Sequence, residues 1–374
     1  MVPKYEVQLR IDGNLIGNVR ELCYGLTWAK RRTKAGVDEI DFTLNDVLFS
    51  KWCEARGVNI SQMLKPLALD CRIVRDGIPV VGGFLATMPA YSPNGTSANL
   101  VMRFDGYMNY LAGVYIRPIG TVTGPLSTLI QQRVSEAETL ATNAGKGFGI
   151  TAGTIENLPT VEHTFENYKT VKDWVAERCD NTTGAGPFDM IFNPDRTYDI
   201  TADAHFGDVI SDYTIRYPAL QVGVSAASIS APEVGGYAST IIGIGAGEIS
   251  SDASKNTAIT SIQTNSDAVA EYGYAERTLQ ESSISVQQTL NNNTTAMLNN
   301  ASSPIWQPEI TLLGKQVAPT PDGEKKIWIG DMVTIINEED LTGQTSGQFR
   351  VNELQVKISA TGAETIKPTL ERVS

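Results

Sequence analysis

The sequence predicts a β-rich, multidomain α+β fold in which two β-barrel or sandwich domains flank a middle α+β region. Three observations lead there. Alternating apolar strands joined by tight turns fill residues 4–106 and again 306–373, and between about 121 and 180 the apolar period changes to that of helices. Charged residues make up only 19% of the 374, while 33 are glycine, a balance closer to β-rich proteins than to helical enzymes. A chain of this length holds several cores. The expected division is 1–117, a β domain with one inserted helix; 118–205, an α+β domain; 206–303, a connecting domain of extended, β and helical segments; and 304–374, a closing β domain.

The elements follow in order. YEVQLRI alternates cleanly, Asp12-Gly13 supplies a turn, and LIGNVRELCYGLTWAKR reads as a second, longer strand region. In VDEIDFTLND, Ile40, Phe42 and Leu44 alternate with Glu39, Asp41 and Thr43, so one face is buried and one is wet. SKWCEARGVNISQMLKP reads as a short helix and loop, with Asn45 or Asp46 as the cap. A hairpin around Asp76-Gly77 and the strand ANLVMRFDG complete this module. Farther on, Leu126, Leu129, Ile130, Val134, Ala137 and Leu140 fall on one helical stripe, and Val171, Trp174, Val175 and Cys179 on another. Between them GFGITAGTIENLPTVEHTFEN reads as a strand and loop, and FDMIFNPDRTYDIT is a hairpin turning at Asn193-Pro194-Asp195. LQVGVSAASISA and YASTIIGIGAGE are extended, and SSDASKNTAITSIQTNSDAVAEYGYAER is a loop or weakly packed strand. A helix carrying Ile284, Val286, Leu290, Met297 and Leu298 stops at Pro304, and four strands close the chain.

The net charge of −12 argues against a surface built to grip nucleic acid, because that needs clustered Lys and Arg to displace phosphate counterions. It serves solubility, or a surface past which a polyanion slides. Cys23, Cys53, Cys71 and Cys179 lie far apart with no zinc-binding spacing, and are expected to be reduced and buried. The first residues already read as a strand and no run of about eighteen apolar residues follows, so neither a signal peptide nor a membrane span is expected, and the chain is expected to fold in a cytoplasm.

Motifs that carry chemistry are few. Gly243, Gly245 and Gly247 follow a strand, as in a dinucleotide loop, but no apolar helix opens behind them, which favours close packing. His163 and His205 lack metal-site spacing, and a Cys179–His163 nucleophile pair would place the thiol at a helix C-terminus, where the dipole raises its pKa. Asp195, Asp199 and Asp203 would have to supply a glycoside-hydrolase carboxylate pair, and read better as the wet face of a hairpin. Trp28, Trp52, Trp174, Trp306 and Trp328 are dispersed, as if each served a separate small core. The polar loops APTPDGEKK and NEEDLTGQTSG are either solvated hairpin loops or contacts with a neighbouring subunit or channel. The expectation is a non-enzyme with no catalytic, cofactor-binding or metal-binding residue and no cofactor.

Three stretches carry a family resemblance: the opening YEVQLRIDG…LTWAKRRTKAGVDEIDFTLND with CRIVRDGIPVVGGFL, the segment YAERTLQESSISVQQTLNNNTTAML, and the ending IWIGDMVTII…GQFRVNELQVKIS…ETIKPTLERV. In these the chain resembles the baseplate hub, or minor tail, proteins found at the tail tip of long-tailed bacteriophages. The resemblance implies two tube-like barrels side by side, a Gly330-Asp331 turn before a strand of the closing barrel, and a homotrimer whose six barrels match a sixfold tail tube. It implies a structural virion protein of the tail tip that closes the tube, adapts sixfold to threefold symmetry and leaves a channel for genome and tape-measure passage. Its partners would be the distal tail or tail-tube hexamer, the C-terminus of the tape measure protein and tail fibre or tip proteins, with DNA only in transit. The end of the chain directly after the last barrel suggests a bare hub. The alternatives are another β-rich tail, spike or adhesin subunit, and a cell-wall hydrolase working through carboxylates in 118–205.

Overall fold

A computed structural model describes residues 3–94, 97–165, 168–180, 188–202, 206–217, 224–230, 237–248, 256–281, 284–302, 307–313, 316–317, 326–338 and 346–373. His205, Asp203, Trp306, Pro304 and most of the loops 318–326 and 337–347 lie outside them. The fold is β-rich, and the chain divides into two compact units.

The first unit joins Met1–Asp180, Phe188–Ser228 and Pro308–Ser374. Its opening strands are β1 (Tyr5–Ile11), β2 (Asn14–Asn18), β3 (Cys23–Arg31), β4 (Glu39–Asn45), β5 (Leu69–Arg75), β6 (Ile78–Leu85), β7 (Ala90–Asn94) and β8 (Ser97–Gly106). Asp12 and Asp76 sit at φ 48° and 50°, each before a glycine, and make the two expected turns. The region expected as one long strand from Leu15 is broken: Val19 is buried, Arg20–Leu22 form a single 3-10 turn, and β3 starts afresh at Cys23. The expected helix also differs. α1 (Asp46–Glu54) starts at an expected cap, Asn45, whose side chain accepts from Leu48 N at 3.1 Å, but Gly57 at φ 65° separates it from a second helix, α2 (Ile60–Met63), capped by Asn59. An apolar stretch alone could not show that stop. Asparagine caps and glycine left-handedness did.

Next come β9 (Tyr115–Ile116), β10 (Gly120–Pro125), α3 (Leu126–Asn143), β11 (Thr151–Ile155), β12 (Thr160–Phe165), β13 (Lys169–Thr170), α4 (Val171–Asp180), β14 (Phe188–Phe192) and β15 (Thr197–Ala202). β14 and β15 pair antiparallel as the expected hairpin, with β11 added in parallel to β15. The segment read as one strand and a loop holds two strands, because β12 finds a partner in β10. α3 buries Leu126, Leu129, Ile130, Val134 and Ala137 as expected, but Leu140 stays 40% exposed.

After β16 (Val209–Tyr217) and β17 (Val224–Ser230) the chain enters the second unit, built from Ile229–Gln307. There β18 (Thr240–Ile244) is flanked by β19 (Thr260–Thr264) and β20 (Glu276–Gln280), with α5 (Ser266–Tyr272) between those two and α6 (Gln287–Ala301) packed over β18 and β19. The stretch read as a loop or weakly packed strand is thus strand, helix, strand. Asn265 caps α5, accepting from Asp267 N and Ala268 N at 3.1 Å each. Its core is small: Ala238, Ile241, Leu298 and Ala301, with Leu279 and Met297 against them. Ile284 is half-buried and Val286, 58% exposed, precedes the helix instead of packing within it.

The chain returns to the first unit with β21 (Gln307–Leu313), β22 (Met332–Asn337), β23 (Gly347–Ile358) and β24 (Glu364–Arg372). β23 is the pivot. On one side it pairs with β24, and on the other with β3, Leu354 opposite Lys30 and Val356 opposite Trp28. Among the described residues, fourteen strands therefore form one hydrogen-bonded sheet whose main path runs β17-β21-β24-β23-β3-β4-β8-β6-β5-β1-β2. One core spans both ends of the sequence, including Val7, Leu26, Phe42, Ile73, Phe104, Val333, Phe349, Leu354 and Ile366. Trp28 and Trp328 meet with ring centroids 6.4 Å apart, so these two do not serve separate cores.

Candidate functional site

The seam between the opening and closing segments concentrates charge inside the first unit. Lys30-Arg31-Arg32 ends β3, and because side chains alternate across a strand, neighbouring cations take different partners. Lys30, 3% exposed, pairs with Asp38 at 2.6 Å and donates to Phe192 O at 2.5 Å. Arg31 bridges Glu353 at 2.9 Å and Glu39 at 3.2 Å, linking β23 to β4 across β3. Burial opposes its charge, but the two carboxylates outweigh burial and raise its pKa. Arg32, 1% exposed, donates Nε to both oxygens of Asp189 at 3.1 and 3.0 Å and Nη1 to Asn352 Oδ1 at 3.0 Å. One basic triplet thus ties together β4, the β14–β15 hairpin and β23.

Two further pairs complete the seam. Arg75 and Glu364 are both fully buried: Arg75 Nε meets Oε1 at 2.6 Å, Nη2 meets Oε2 at 3.0 Å, Nη1 donates to Val317 O at 3.0 Å, and Tyr5 Oη also donates to Glu364. Burial, then the Glu364 charge, holds the Tyr5 hydroxyl protonated far above its ordinary range. Arg196 bonds Asp70 and donates to Phe148 O at 2.7 Å. Burial works against the Arg196 charge, yet Asp70 outweighs it and raises its pKa.

The Gly330-Asp331 turn stitches the same region. Gly330 (φ 88°) and Gly207 (φ 80°) approach so closely that a Cβ on Gly207 would lie 2.5 Å from Asp331 N, and Phe206 fills the space a Gly330 Cβ would need. Asp331 Oδ1 accepts from Asp208 N at 2.9 Å and Oδ2 from Trp328 N at 2.7 Å, while Gly330 N donates to Val351 O at 2.7 Å. The turn therefore fixes 206–208 against β23. Phe206 in turn lies under the Arg32 guanidinium, 5.6 Å from it.

The residues weighed for chemistry fall elsewhere. His163, on β12, accepts from Arg178 Nη2 through Nδ1 at 3.0 Å and stands edge-on to Phe165. Burial, followed by the Arg178 and Lys169 charges, pushes its pKa down to about 4. Cys179 is 2% exposed on α4, and none of the four cysteines is in a disulfide. Burial pushes the Cys23 thiol up to about 12 and Cys53 to about 11. Asp195 accepts from Thr197 N at 3.1 Å and Oγ1 at 2.7 Å, bonds that outweigh burial and hold it below the ordinary carboxylate range. Asp199 accepts from Thr154 N at 2.6 Å and Asn193 Nδ2 at 2.7 Å. Both carboxylates brace backbone. Gly243 lies where any Cβ would overlap Thr294 Oγ1 of α6, and Gly245 where one would come within 2.6 Å of Ile284 O: these glycines allow helix and loop to pack onto β18. The Lys30-Arg31-Arg32 triplet and Asp189 were not among the sequence candidates. Three successive cations at the end of a strand with apolar neighbours were the available signal.

Comparison with known proteins agrees with this architecture. Residues 213–367 match the family described as prophage endopeptidase tail. A tail protein of Neisseria meningitidis is similar over 98% of this chain and 96% of its own, at TM-score 0.64 and 13% identity. The 43 kDa tail protein of prophage MuSo2 from Shewanella oneidensis is similar over 99% and 98%, at TM-score 0.64 and 12% identity. A prophage tail protein of Listeria monocytogenes is similar over 99% and 95%, at TM-score 0.57 and 13% identity. No curated protein sequence matches the chain.

Proposed function

We propose, from a fold that is that of phage tail proteins, that this chain is a structural component of a virion tail and forms a trimeric tail-tip hub. The carrying observation is the pairing of β23 with β3, which joins the first and last segments of the chain by backbone hydrogen bonds. A protomer with two β modules held in fixed register supplies two tube-like domains at once. Three protomers then supply six, and a threefold ring meets a sixfold tube without a symmetry mismatch. On this reading 1–117 and 304–374 are the tube-like domains, and the −12 charge keeps transiting DNA from adhering. The partners are the distal tail or tube hexamer, the tape measure C-terminus and the tip or fibre proteins. Native mass spectrometry of the purified chain, and cryo-electron microscopy of tails, test it. Three copies per tail are expected; six copies, or a count unrelated to three, would rule the hub out.

A second reading takes its support from the family's description, which contains the word endopeptidase. The matched residues 213–367 include neither histidine nor cysteine, so a Ser-His or Cys-His mechanism there would have to borrow its base. Clearing of bacterial cell walls by purified protein in a zymogram would establish a hydrolase instead of a purely structural part.

A further inference from the structure

An apolar groove in the first unit lies open beside the C-terminal half of α3. It consists of two adjoining cavities of about 340 and 420 Å3 that share Val114, Tyr115, Arg117 and Leu140. Tyr115 is 56% exposed, Ile119 47%, Leu140 40% and Tyr168 69%. Single exposed apolar side chains are ordinary, but here four converge on one concavity, and two are tyrosines, a residue type that anchors protein interfaces. Leu140 continues the buried stripe of α3, so the helix's apolar face runs out of the core and into the groove.

Charge distinguishes this groove within an acidic chain. Arg133 lines it and is 8% exposed: one terminal nitrogen pairs with Glu136 at 2.8 Å and the guanidinium stands 5.5 Å from the Phe165 ring centre, while Nε has no hydrogen-bond partner among the described residues. Arg117, also on the lining, is exposed and has no ion-pair partner among the described residues. Two arginines thus face one carboxylate, that of Glu136. That Nε is closed to solvent, so what the groove offers an approaching anion is the Arg117 guanidinium and the small accessible part of Arg133, and charge-assisted bonds to a carboxylate are the strongest that such groups make.

We infer that the groove docks a segment of another protein in which aliphatic side chains surround a carboxylate. The aliphatic groups pack among Tyr115, Ile119, Leu140 and Tyr168, and the carboxylate meets Arg133 and Arg117. This does not depend on the threefold hub.

The test uses the full chain and three fluorescein-labelled, C-amidated twelve-residue peptides, read by fluorescence polarisation. One alternates Leu and Glu in helical spacing, one has Lys for Glu, and one has Ser for Leu. The Leu/Glu peptide is expected to bind at least about tenfold more tightly than the Leu/Lys peptide, and the Ser/Glu peptide not at all. Leu140→Asp, at an exposed position, should weaken Leu/Glu binding by about tenfold or more with an unchanged circular dichroism spectrum, and Arg117→Glu should shift the preference toward Leu/Lys. Absence of Leu/Glu binding, equal affinity for Leu/Glu and Leu/Lys, or full binding by Leu140→Asp overturns the inference. So does sedimentation in which Leu140→Asp converts an oligomer to a monomer, because the groove would then hold a second copy of this chain.

Discussion

At the scale of single residues, the buried pairs of the seam matter for what they do when broken. Glu364 and Arg75 are both fully buried, and removing one partner leaves an uncompensated charge in the core, which costs about 3–5 kcal/mol. Glu364→Leu should therefore lower stability by about that amount in urea titration, while the double variant Arg75→Met/Glu364→Leu should recover most of it. Recovery will be incomplete, since Tyr5 Oη and Val317 O lose their partner too. His163 gives a pH signature. Its folded pKa of about 4 lies below the unfolded value near 6.5, so the unfolded chain takes up the proton first. Stability contributed by the neutral ring is full above about pH 6.5 and is lost as the pH falls through 4. His163→Gln keeps an acceptor for Arg178 without titrating, and should flatten the fall in Tm between pH 6.5 and 4.5. Of these features, only the residue types could be read from sequence. Arg32 and Asp189 stand 157 positions apart, Arg75 and Glu364 289, and no local pattern pairs them.

At the scale of elements, caps and glycines set the boundaries. Asn45→Ala removes the bond that starts α1 and should cost about 0.5–2 kcal/mol, measurable in urea, with the sheet unchanged. Gly243→Val drives a side chain into Thr294 and Leu290 of α6. Overpacking of this kind costs about 1–3 kcal/mol, and hydrogen exchange should quicken across Gln287–Ala301 more than in β3 or β23. Strongly periodic elements were legible: β1, β4, α3, α4 and the β14–β15 hairpin lie where alternation or helical spacing puts them. α5 and β20 were not, because a seven-residue helix between two polar strands has too few apolar positions to show a period, and its asparagine cap becomes a boundary only once β18 gives the strands a partner.

For the whole molecule, β23 is the strand on which the first unit turns, since it holds β24 on one side and β3 on the other. Val356→Pro removes a ladder donor and adds a clash in a central strand; an effect of about 3 kcal/mol or more is expected, seen as simultaneous loss of protection in Cys23–Arg31 and Glu364–Arg372. If β3 kept its protection, the two ends would be independent modules. The sequence by itself determined the β-rich class, the two long helices of the α+β middle and the principal turns, because periodicity and turn chemistry are local and survive in one dimension. Tertiary structure alone decided that the two ends share one sheet and one core, that Trp28 meets Trp328, and that Lys30, Arg31 and Arg32 bind three different parts of the chain. Backbone donors and acceptors are the same at every position, so which strand pairs with which depends on how faces and charges hundreds of residues apart are satisfied together.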